Sequence, residues 1–169
     1  MSLRTGWLGF LLCICLPAAP AMAASDSGSA QPALHSTQWR IECDNSGKAL
    51  DCQTINRIVT PNGDTVATIA IHPLAGAGKT IALVQVPFGI AFGTPVQLSV
   101  KGAPVTTLTL NTCLAQGCIA TGVLSDAFIA AAIASSKLTL SFGMDNNKNL
   151  ALALPLEGFG LAYHFMTQK

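Results

Sequence analysis

Val105-Thr106-Thr107-Leu108-Thr109-Leu110-Asn111-Thr112-Cys113-Leu114-Ala115-Gln116-Gly117-Cys118-Ile119-Ala120-Thr121-Gly122-Val123 is the stretch that decides the fold. Its two flanks, Val105 to Asn111 and Ile119 to Val123, are rich in β-branched and aliphatic residues that favour extended backbone. Between them, Cys113 and Cys118 enclose only Leu114-Ala115-Gln116-Gly117. A bond between those thiols would clamp a reversal, with Gly117 relieving backbone crowding at its base. The reading is therefore a hairpin of paired strands.

The same grammar extends in both directions. Upstream, Gly102-Ala103-Pro104 turns the chain, Val96 to Val100 is a strand, Pro87-Phe88-Gly89 breaks the sheet, and Ile81 to Val86 is a more fully buried strand. Pro61-Asn62-Gly63-Asp64 centres a hairpin, because Asn-Gly tolerates the positive φ that tight turns require. It joins a strand ending near Val59 to another over Val66 to Ile71. Trp39 and Ile41 alternate with Arg40 and Glu42, which places ring and Ile on one face of a first strand closed by Cys43. Asp44-Asn45-Ser46-Gly47-Lys48 is turn chemistry that lets the chain reverse toward Cys52.

Downstream, Ser125 caps a helix near residues 126–134 whose Phe128, Ile129, Ala132 and Ile133 fall on one stripe. Leu138 to Phe142 returns to strand, Asp145-Asn146-Asn147-Lys148 turns, and Leu150, Leu152 and Leu154 alternate with Ala151 and Ala153 until Pro155. Phe159 to Met166 reads as a closing strand, with Leu161, Tyr163 and Phe165 on one face. Short apolar runs between regular turns predict an all-β, single-domain β-sandwich of short antiparallel strands with that one short helix.

The start of the chain predicts export. Arg4 is a positive leading charge, Trp7 to Leu16 is an apolar run, and Ala21-Met22-Ala23 supplies small residues for cleavage after Ala23. Pro17 and Pro20 interrupt the run short of the roughly 20 apolar residues a membrane span needs. Cys13 and Cys15 lie inside the leader, and neither follows the small-residue pair expected before a lipidated cysteine. Residues 24–37 are small and polar and read as a flexible tether, leaving residues 38–169 as the folded domain. Nine Lys and Arg less Arg4 leave eight against eight Asp and Glu, so the secreted form is formally neutral. Nothing electrostatic recruits nucleic acid, and no transmembrane span is expected in the mature chain.

Four cysteines remain outside the leader: Cys43, Cys52, Cys113 and Cys118. An oxidising compartment favours disulfides over free thiols, and the turn chemistry within each short gap makes two local bridges, Cys43–Cys52 and Cys113–Cys118, the expectation over cross-paired ones. A four-thiolate zinc site fits these gaps poorly, and the reactive C-x-x-C spacing of a redox catalyst is missing.

Trp39-x3-Cys43, a second cysteine nine later, Val86-Pro87-Phe88-Gly89-Ile90, Cys113-x3-Gly117-Cys118 and Leu156-x-Gly158-Phe159-x2-Ala162 together resemble the invasion-associated locus B family. The match covers residues 38 to 166. The resemblance implies a small exported protein of Gram-negative cells, found in the periplasm or outer envelope or secreted, associated in some pathogens with virulence and host-cell entry. It names no catalytic residue.

The remaining motifs carry little chemistry. Ala75-Gly76-Ala77-Gly78-Lys79-Thr80 looks like the tail of a phosphate loop, but its first glycine would fall on Pro73, and a strand follows where a helix is needed. His35, His72 and His164 have no ligand or catalytic spacing. Glu42, Asp44 and Asp51 flank the first bridge, where carboxylates are ordinarily solvated rather than cation-bound. Trp39 is expected in the core beside that bridge. Phe88, Ile90 and Phe92 form a contact surface if their loop is exposed, and otherwise plug the end of the sandwich. The expectation is a non-enzymatic protein without cofactor or metal, meeting an envelope or host-surface protein and able to associate with the outer membrane. The apolar excess motivates an alternative, a periplasmic carrier or sensor of a small apolar ligand, and an enzyme with its groups dispersed over loops is a third reading.

Overall fold

The computed structural model describes residues 34–45, 50–74 and 78–168. The predicted leader, the predicted tether up to residue 33, the centres of the loops at 46–49 and 75–77, and residue 169 lie outside the described residues. All described residues belong to one compact unit, Pro32–Lys169.

The described residues form ten strands: β1 His35–Ser36, β2 Arg40–Asp44, β3 Asp51–Val59, β4 Thr65–Leu74, β5 Lys79–Val86, β6 Val96–Val100, β7 Thr106–Leu114, β8 Gly117–Leu124, β9 Lys137–Gly143 and β10 Asn149–Pro155. Two helices join them, α1 Asp126–Ala134 and α2 Phe159–Thr167. Every pairing is antiparallel, in the order β1-β3-β4-β5-β8-β7-β6-β9-β10, with β2 also on β3. The all-β class holds. The pairing path is continuous and nearly closed, because β7 pairs with β6 through Thr106 to Leu108 and with β8 from Thr109 onward. A bulge between Leu110 and Thr112 bends it past that change of partner.

Alternation fills the interior. Along β5, Thr80, Ala82, Val84 and Val86 are buried, and β6 and β9 contribute Val96, Leu98, Val100, Leu138, Leu140 and Phe142. The predicted hairpins form at Pro61–Asp64, where Gly63 has φ +90°, and at Cys113–Cys118. At Gly117, with φ +132°, a Cβ would collide with the carbonyl oxygen of Val86, so this reversal needs glycine twice over.

The first helix forms where its cap predicts, and the Ser125 hydroxyl accepts the Phe128 amide at 3.1 Å. Phe128, Ile129 and Ala132 are buried, whereas Ile133 is 51% exposed and meets the outside of Gly160.

The terminal run corrects the sequence reading. Phe159–Thr167 is a helix, not a closing strand, and it buries Phe159, Ala162 and Met166 while Leu161 and Phe165 face outward. The alternating residues matched a two-residue period by coincidence, and the pattern at i, i+3 and i+7 is the one that packs. A second correction concerns Ile41, which is exposed while Trp39 is buried. Trp39 stands just before β2, so the two do not share one pleated face.

The last residues assigned to the tether are held in the sheet. Ser36 pairs with Ile58, and the Thr37 amide donates to the Arg57 carbonyl at 2.8 Å. Asn56, 1% exposed, secures them: its Oδ1 accepts the Ser36 hydroxyl at 2.8 Å and its Nδ2 donates to the Thr37 carbonyl at 2.7 Å. A buried amide needs such partners.

Candidate contact surface

β5 ends because Pro87 supplies no ladder hydrogen and Gly89 takes φ +81°. The loop from Phe88 to Pro95 is nevertheless fixed. Ile90 forms a bridge to Met144, the Ala91 amide donates to the Gly143 carbonyl at 2.9 Å, and the Asp145 amide donates to the Gly89 carbonyl at 2.8 Å. A Cβ on Gly143 would lie 2.6 Å from Thr94, so the loop rests on bare backbone there.

This anchoring divides the three predicted contact residues. Ile90 is buried and acts as the peg, which removes it from the surface. Phe88 and Phe92 stand on either side of it at 56% and 82% exposure. Beside Phe92 a cleft of about 270 Å³ is lined by Ile90, Thr94, Pro95, Leu108 and Leu110 among others. Two aromatic rings on an anchored loop, next to this recess, can bind another surface with little ordering cost.

A second cleft, about 590 Å³, lies where α1 runs into β9, against the end of β6. It presents Lys101 and Lys137 with the hydroxyls of Ser99, Ser135, Ser136 and Thr139, and among the described residues no carboxylate, histidine or thiol lines it. A third cleft, about 290 Å³, lies between Thr37, Trp39, Pro155 and Glu157. There the Trp39 indole N–H donates to the Pro155 carbonyl at 2.9 Å, and its ring meets Phe159 edge-on with centroids 5.0 Å apart.

The other singled-out residues have structural surroundings. Cys43 stands opposite Cys52, and Cys113 opposite Cys118, each pair with sulfurs at bonding distance and Cα atoms 4.0 and 3.8 Å apart. Glu42 accepts Arg40 at 2.8 Å and Arg57 at 3.3 Å, and Asp51 lies 3.4 Å from His72. His164 is an exposed helix residue beside Gln168. Among the described residues no group of His, Cys, Asp and Glu is arranged to hold a metal. None of their helices is long and apolar enough to cross a membrane.

Sequence reasoning missed two features of the described structure. Asn56 lies near the middle of β3, and only its position between Thr54 and Ile58 on a buried strand hints at a structural amide. The Lys101 and Lys137 cleft joins residues from separate strands, a neighbourhood invisible in one dimension.

A family profile described as invasion associated locus B (IalB) protein matches residues 39–167. The chain belongs to the invasion-associated locus B family. It is 26% identical over 145 residues to an invasion protein B homolog of Brucella abortus strain 2308, covering 84% of this chain and 83% of that one. The homolog of Brucella abortus biovar 1 strain 9-941 matches with the same identity and coverage. The crystal structure of invasion associated protein B from Bartonella henselae superposes with a TM-score of 0.69 at 27% identity, covering 76% of this chain and 89% of that one. The family assignment and the fold therefore agree, and the contact loop and both cysteine pairs lie inside the matched residues.

Proposed function

We propose that this protein is exported, loses residues 1–23, and works in the periplasm or at the outer envelope as a non-enzymatic contact protein. Its partner is another envelope or host-surface protein, and in a pathogen contact of this kind serves entry into the host cell. Export is supported by the leader and by two cysteine pairs placed for oxidation. The observation that carries the contact role is the exposure of Phe88 and Phe92 on a loop pegged by Ile90. The relatives named invasion protein B give the reading its context.

The carrier alternative finds less support. The space between opposing strands is occupied by Phe128, Phe142, Ile69, Leu98, Leu140 and Leu154, all essentially inaccessible.

The test is complementation. A deletion strain is given either the wild-type chain or a Phe88→Ser/Phe92→Ser double variant, and host-cell entry and envelope integrity are measured alongside cell fractionation. Both substitutions are at exposed positions, so the variant should fold. It should reach the periplasm or outer envelope and fail to restore function. Full restoration by the variant, or a deletion that changes neither assay, refutes the contact role.

A further inference from the structure

We propose that the outer edge of β10 is a self-association site at which a second copy of this chain adds its own β10 antiparallel about a two-fold axis. The polarity of the edge follows from hydrogen bonds on either side of it. The Leu156 amide donates to the Ser136 carbonyl at 3.0 Å, and the Met144 amide donates to the Lys148 carbonyl at 2.7 Å. Both pairs belong to the register that sets Leu150 opposite Phe142, Leu152 opposite Leu140 and Leu154 opposite Leu138. Bonded pairs recur at every second residue of an antiparallel ladder, so Leu150, Leu152 and Leu154 turn their amides and carbonyls toward β9. Asn149, Ala151, Ala153 and Pro155 turn theirs away. Pro155 verifies this independently, because its outward carbonyl is the one that accepts the Trp39 indole.

Among the described residues β10 pairs with β9 alone. What remains open is therefore the outward N–H and C=O of Asn149, Ala151 and Ala153. Pro155 closes one end, having no N–H and its carbonyl already bonded, and the turn at Asn147, φ +61°, closes the other. A bounded edge centred on Ala151 matches itself. Ala151 opposes Ala151 of the second copy, and Asn149 opposes Ala153 in both directions, so every open group gains a partner in about six ladder bonds.

Side chains permit this. Asn149, Ala151 and Ala153 are exposed and small or short, so no bulk obstructs the approach. On the opposite face Leu150, only half-buried, would meet Leu152 of the second copy and continue the apolar layer. From Asn149 to Pro155 there is no charge, and the flanking Lys148 stands outside the paired span. Edges left unpaired ordinarily carry a central Lys, Pro or bulge, and this one has none. The formal neutrality of residues 24–169 means that no net charge opposes association of two copies.

The experiment compares the oxidised secreted chain with Ala151→Lys and Ala151→Glu by sedimentation velocity from low to high micromolar concentration. Wild type should move from monomer to dimer. Each variant sets like charges opposite each other at the two-fold axis and should dimerise at least about tenfold more weakly. Mixing the two variants should restore the dimer. Circular dichroism checks folding, and amide exchange of the wild type supplies a readout free of substitutions: exchange at Ala151 and Ala153 should slow as concentration rises, with Leu152 unchanged. A wild type that stays monomeric, a dimer indifferent to both substitutions, or Ala151 exchange independent of concentration would overturn the proposal. Binding of a foreign extended peptide at this edge by a chain that never dimerises would overturn it too.

Discussion

Replacing Trp39 by Leu should cost about 3–4 kcal/mol, because three separate interactions end at that ring. Trp39 lies between β1 and β2 at one end of the pairing path, and its indole donates to Pro155 on β10 at the other, 116 residues away. Losing a part-buried hydrogen bond of this kind costs about 1 kcal/mol. The edge-on contact with Phe159 contributes about 1 kcal/mol beyond area burial. Shrinking a buried indole to an isobutyl group leaves a partly collapsed hole worth about 1–2 kcal/mol. Equilibrium unfolding in urea, followed by far-UV circular dichroism because Trp39 is the sole tryptophan beyond residue 23, should show the midpoint lower by about 1.5–2 M at a slope near 2 kcal/mol/M. A double-mutant cycle with Phe159→Leu should return a coupling of about 1 kcal/mol. A Trp39→Leu loss within about 0.5 kcal/mol, or no coupling to Phe159, would refute the view that this ring ties the ends of the sheet together.

Reducing both disulfides should lower stability by about 2–3 kcal/mol per bridge, in keeping with the short loops that they close, and an unchanged melting temperature with and without reductant would contradict a structural role. Ser125→Ala removes the hydroxyl that accepts the Phe128 amide and should cost about 1 kcal/mol in chemical denaturation. Gly117→Ala sets a Cβ against the Val86 carbonyl at a positive φ, so its unfolding free energy should fall by more than the roughly 1 kcal/mol of an ordinary glycine replacement in an open turn.

The strands were legible because their signals are local. Asn62-Gly63 makes its hairpin without help from distant residues, and Ser125 caps the first helix through an amide three positions on. The contact loop was legible as a break at Pro87, but the split between buried Ile90 and exposed Phe88 and Phe92 was not. That split depends on Met144, more than fifty residues later, arriving to bridge Ile90. The end of the tether nearest the domain was not legible for the same reason, since Ser36 and Thr37 find their partners in Asn56, some twenty residues on.

By itself the sequence determined strand positions, reversal points, the first helix and which cysteines lie near one another, because each rests on backbone preferences and short-range spacing. Tertiary structure alone decided that Phe159–Thr167 is helical: its apolar residues satisfy both a two-residue and a helical period, and the choice falls to the packing of Phe159 on Trp39. It also decided the order of strands, in which β8 separates β5 from β7. A free strand edge presents the same backbone groups to any neighbour, so the selection among partners comes from the collective burial of side chains that meet only in the folded chain.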